Sequence, residues 1–159
     1  MADSTFKKLL LALERVVSAV DKVGVVHTFE RYAADPDTFD SLFRTTVGNR
    51  KQIRAWTITR NATSAVASQF DKVTRTYTYT VRGYMGYEDK TATELEFQEL
   101  IELVMDALDQ QDDLDETAVL YSVGPSQLRT LELRQFGSVL VHYAEILVSA
   151  QVEKAITWA

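Results

Sequence analysis

Thr74-Arg75-Thr76-Tyr77-Thr78-Tyr79-Thr80-Val81-Arg82-Gly83-Tyr84-Met85 alternates residue by residue. Tyr77, Tyr79, Val81 and Met85 fall on one side; Thr74, Thr76, Thr78, Thr80, Arg82 and Tyr84 fall on the other. Branched and aromatic side chains fit the pleated surface of an extended backbone. A sustained period of two therefore predicts a half-buried strand. Gly86 and Glu88-Asp89-Lys90 end it.

Downstream the period changes. Phe97, Leu100, Ile101, Val104 and Leu108 form an apolar stripe at helical spacing, so Thr91 to Gln110 reads as a helix. Thr91-x-x-Glu94 and Thr93-x-x-Glu96 both satisfy the capping-box pattern. Residues 111–117 read as an acidic loop and Val119 to Val123 as a short strand ended by Gly124-Pro125. Leu128 to Phe136 and Val139 to Val152 read as a closing hairpin around Gly137-Ser138.

Upstream, Ile53 to Arg60 alternates as a strand. Trp56 and Ile58 share a face with Arg54 and Arg60, and Ala55, Thr57 and Thr59 take the other. Asn61 to Gln69 is small and polar and reads as a loop. Residues 4–20 place Phe6, Leu9, Leu10, Leu13, Val16, Val17 and Val20 on one helical face, with Ser4 or Thr5 as N-cap and Gly24 as stop. Val25 to Tyr32 reads as a strand, and Asp35-Pro36-Asp37-Thr38 as a turn or a short helix start. This order predicts an α+β fold, one domain over residues 1–159, with a mainly antiparallel β-sheet packed against two α-helices.

The chain has 159 residues, which suits one domain with its own core. It has no cysteine, so disulfides, a thiolate nucleophile and Cys-ligated metals are excluded. His27 and His142 are the only imidazoles. Lys7 and Lys8 precede the apolar run Leu9 to Leu13, but Glu14-Arg15 interrupts it, so a secretory signal is not expected. No stretch approaches the ~18–20 apolar residues of a membrane span. The phosphate-loop, Gly-x-Ser-x-Gly and His-Glu-x-x-His patterns are absent. No catalytic, cofactor-binding or metal residue is assigned, and the chain reads as non-enzymatic. The enzymatic alternative is a pocket around His142, Tyr143 and Glu145.

Charge is the informative property. The net value of −6 conceals two blocks. Residues 44–82 hold eight bases and one acid, a net of +7. Residues 94–116 hold ten acids and no base, a net of −10. Each block has a bland reading as solvated surface. Each also has a sharper one as a contact with a surface of opposite sign. The candidate interface residues are Arg50, Lys51, Arg54, Trp56, Arg60, Arg75 and Arg82 on the basic side, and Glu99, Glu102, Asp106, Asp109, Asp112 and Asp113 on the acidic side. A divalent-ion site is a third reading of the acidic ridge, although Asp112 to Glu116 lacks the glycine and terminal glutamate of a calcium loop.

Between Tyr77 and Val148 the chain carries a threonine/tyrosine strand leading into Val81-Arg82-Gly83-Tyr84-Met85-Gly86-Tyr87. A Thr-Ala-Thr-Glu helix start, Glu96-Phe97-Gln98-Glu99-Leu100-Ile101-Glu102, Gly124-Pro125 and Val141-His142-Tyr143-Ala144-Glu145-Ile146 follow. The order resembles the tail terminator (tail completion) and neck proteins of long-tailed bacteriophages. The resemblance implies a homo-oligomeric ring, expected to be hexameric. That ring would cap the tail tube, end its polymerisation and meet a neck or head-completion protein, with DNA passing through its lumen without sequence-specific binding. It implies a virion location in the tail or neck, with assembly in the host cytoplasm, and no cofactor. Another neck component, a stopper or an adaptor, is the alternative. A ring needs one patch to meet a different patch on the next subunit, and opposed charge blocks suit that need.

Overall fold

The computed structural model describes residues 3–112, 114, 125–136 and 138–157. Helix α1 (Thr5–Ser18) starts where Ser4 accepts a hydrogen bond from the Lys7 amide, as the sequence predicts. Strand β1 (Val25–His27) is shorter than the predicted Val25–Tyr32, and Phe29 to Tyr32 are exposed. Of the turn or short helix start predicted at Asp35, the helix is formed, α2 (Pro36–Phe43). Asp35 caps it, accepting from the Thr38 amide at 2.8 Å, and Pro36 brings a preset φ and no orphan donor to the first turn.

Strand β2 (Arg44–Val47) then turns through Gly48, whose φ is +62°, into β3 (Arg50–Gln69). Here the loop predicted at Asn61–Gln69 is corrected. It continues the strand and pairs with β4 (Lys72–Gly86) as far as Gln69 opposite Lys72. The segment is exposed on both faces, so it carries no apolar alternation, and its extended state comes from the ladder to β4. A 3-10 turn at Asp89–Thr91 leads to α3 (Thr93–Asp109), and β5 (Gln127–Phe136) and β6 (Val139–Ala155) form the closing hairpin. The predicted strand at Val119–Val123 and turn residues Gly124 and Gly137 lie outside the described residues.

Among the described residues six strands make one mixed sheet, ordered β1-β3-β4-β6-β5, with β2 also on β3. Among the described residues only β1 on β3 is parallel. The α+β class and the mainly antiparallel sheet stand; the described residues hold three α-helices where two were predicted. Helices α1 and α3 cover one face. Leu9, Leu13 and Val17 from α1 and Phe97, Ile101, Val104 and Leu108 from α3 pack on Trp56, Ile58, Tyr79, Val81, Met85, Ile146 and Val148. Burying each large apolar side chain contributes about 1.5–3 kcal/mol, which holds the layers together. On the other face α2 builds a smaller cluster, in which Phe43, Phe39 and Phe136 pack near Ile53, Ala55 and Val141. Among the described residues no helix is long and apolar enough to cross a membrane.

Candidate subunit interface

Strand alternation does place Arg54, Trp56 and Ile58 on one face, but that face lies beneath the helices. Arg54 is 2% exposed. Its guanidinium donates to the Lys22 carbonyl at 2.8 Å and to Gln52 Oε1 at 3.2 Å, and it pairs with the Glu96 carboxylate. A buried guanidinium needs these partners, because an unpaired one would carry its full desolvation cost. Trp56 is fully buried, donating Nε1–H to the Val23 carbonyl at 3.0 Å. Arg54 and Trp56 are therefore core residues, and their expected place in an exposed patch is corrected.

Most of the rest of the basic block is paired with acids at the partly exposed surface. Arg44 pairs with Asp40 at 2.6 Å, Arg50 with Glu88 at 2.5 Å and Lys72 with Glu153 at 3.4 Å. Arg82 pairs with Glu30 at 2.8 Å, with Glu145 at 3.9 Å on its other side. Five of the eight bases, Arg54 included, are thus paired with acids from elsewhere in the chain, and the block does not form one basic surface. Lys51, Arg60 and Arg75 form no ion pair within the described residues. Arg60 lies 4.6 Å above the Phe6 ring, a cation–π contact that leaves it exposed.

The acidic block behaves differently. Glu94, Glu99, Glu102 and Asp106 are exposed along α3. Glu96 is taken by Arg54, and Asp109 accepts from the Ser126 amide at 2.7 Å and hydroxyl at 3.0 Å. Asp112 is exposed, and Asp113 lies outside the described residues. Within the described residues no group of three or more His, Cys, Asp or Glu side chains could hold a metal ion.

His142, Tyr143 and Glu145 do not converge. His142 sits on the helix-covered face, 2.8 Å from Thr93 Oγ1 and stacked on Phe97. Burial holds its pKa below the ordinary value near 6.5, with Glu94 pulling the other way. Tyr143 points to the opposite face and donates to Glu145 beneath the Arg134 guanidinium, which lies 3.7 Å from its ring. Burial, with the Glu145 bond, pushes its hydroxyl up to about 12.

Two features escaped the sequence reading. The first is the length of β3, whose outer part has no second strand beside it among the described residues. The second is a groove of about 160 Å³ between α3 and β5, lined by Glu94, Phe97, Gln98, Leu131, Leu133 and His142. The leucine spacing in Leu128-Arg129-Thr130-Leu131-Glu132-Leu133 was the available signal, since outward leucines on an edge strand need a cover. No protein-family model matches the chain, and no curated protein sequence matches it.

Proposed function

We propose that the chain is a structural virion protein of the tail-terminator kind, assembling head to tail into a ring that caps the tail tube and joins it to the neck. The observation that carries this reading is the unlike charge of the two flanks of the helix-covered layer. Exposed acids line α3, whereas Arg60 and Arg75, without acidic partners in the described chain, lie on the β3 side. Unlike flanks favour a heterologous contact, and heterologous contacts generate rings. An acidic lumen would also let DNA slide without sticking.

Gold-labelled antibody on virions tests the reading. Label at the head-proximal end of the tail tube is expected, and tails assembled without the protein should lose length control. Label beneath the portal would assign the chain to the stopper or adaptor role instead. Virions without label overturn both.

A further inference from the structure

We propose that copies of this chain join by strand pairing, the outer half of β3 in one copy adding to the β5 edge of the next. On its outer side β3 is covered by β2 over Arg50–Ile53 and by β1 over Ala55–Thr57. From Ile58 to Gln69 it pairs with β4 alone among the described residues. Such an edge offers a row of free backbone donors and acceptors. Proteins usually guard it with charge, proline or brevity, yet Asn61-Ala62-Thr63-Ser64-Ala65-Val66-Ala67-Ser68-Gln69 contains neither charge nor proline. Register irregularities sit at Arg60/Ala62 and Ala67/Gln69, and Ala62 to Ala67 between them stays in regular register. The side chains there are mostly Ala, Ser and Thr, which permit close approach.

Strand β5 is the opposite edge and pairs with β6 alone among the described residues. Leu131 and Leu133 stand opposite Ala144 and His142, so they lie on the helix-covered face, where they are 44% and 51% exposed. A strand added beside β5 would cover them.

Charge selects which edge meets which. Thr63 and Ala65 stand opposite Tyr77 and Arg75, and Tyr77 belongs to the core under the helices. Arg75 therefore lies on the helix-covered side of the β3 edge, as does Arg60 over Phe6 of α1. Beside β5 the same face carries Glu94 and Gln98, with Glu102 one helical turn further on. Pairing β3 with β3 would set base against base, and β5 with β5 acid against acid. Pairing β3 with β5 sets Arg60 and Arg75 towards Glu94 and Glu102. It also buries the leucines against small side chains, and it is a heterologous contact. The inference rests on the proposed ring only for closure of the head-to-tail chain; the pairing itself is a property of the purified protein.

The test uses two surface variants: Ala65→Glu, whose carboxylate lies beside Arg75 and offsets the charge that meets the neighbour's acids, and Leu133→Glu, which places a carboxylate in the apolar seam beside Glu94. Both positions are exposed, so melting temperatures close to wild type are expected. Light scattering after size exclusion should show wild type assembling with concentration and each variant monomeric. An equimolar mixture of the two should form dimers and nothing larger, because each partner keeps one intact edge and the two intact edges are complementary. A wild type that stays monomeric at its highest soluble concentration overturns the proposal. So does either variant assembling like wild type alone, or a mixture that stays monomeric. The tail role is read separately on virions: a chain found at the tube end whose variants still form rings fails this inference and leaves that role standing.

Discussion

Arg54 lies in the core among apolar side chains, and its geometry explains what it does there. It ties the Lys22 carbonyl, just before β1, and Glu96 of α3 to the first part of β3. Glu96→Gln would leave the guanidinium buried without its counter-charge, and chemical denaturation should show a loss of about 3–5 kcal/mol. Arg54→Met should cost less, because it removes the buried charge itself and leaves a Glu96 that is 35% exposed to water. Gly83 is the second residue-scale constraint. A Cβ there would fall 2.5 Å from Trp56 Cζ3, so Gly83→Ala should destabilise by about 1–3 kcal/mol through displacement of the indole. His142 sets a pH dependence. Its folded pKa lies below 6.5, so in between the unfolded state binds more protons, and stability rises with pH through that window. Wild type should lose this contribution as pH falls through 6.5 towards the lower folded value. His142→Gln, which retains a partner for Thr93, should flatten that part of the melting-temperature profile.

At the scale of elements, caps were legible and one was misread. Ser4 and Asp35 cap α1 and α2 from local chemistry alone. The two predicted capping boxes on α3 are not made. Ala92 takes the N-cap position at φ +52° with no side-chain bond, and the Thr93 hydroxyl is used instead by Glu88 and His142. An alanine in the left-handed region is strained, so Ala92→Gly should stabilise the protein by up to about 1 kcal/mol, read from the denaturation midpoint. Tertiary demand on Thr93 won over the local motif. The same competition explains β3. Asn61 to Gln69 carries no strand periodicity because neither of its faces is buried, and the register with β4 that makes it a strand is a relation between segments. Conversely, the alternation of Thr74 to Met85 was readable because its two faces differ in burial.

At the scale of the molecule, the two charge blocks have different fates. Most of the bases pair with acids from outside the block, as Arg82 on Glu30 and Arg50 on Glu88 illustrate. The acids of α3 stay largely outside, where like charges accumulate without compensation. Replacing Glu99 and Glu102 together by Lys should leave the melting temperature nearly unchanged, within about 0.5 kcal/mol per site. The same change should weaken self-association if the acidic flank meets a neighbour, and sedimentation at low and high salt would measure both effects. The candidate site was therefore half legible: exposed acids on a helix follow from periodicity, whereas the fate of each arginine depends on what the fold brings beside it.

The sequence by itself determined the α+β class, the buried face of β4 and the outward acidic face of α3, because each follows from the spacing of side chains along one segment. Only the tertiary structure decided that Arg54 and Trp56 are core residues, that most of the basic block is neutralised internally, and that β3 runs on as an open edge. Those outcomes depend on long-range pairing and burial, in which residues far apart in the chain set each other's environment.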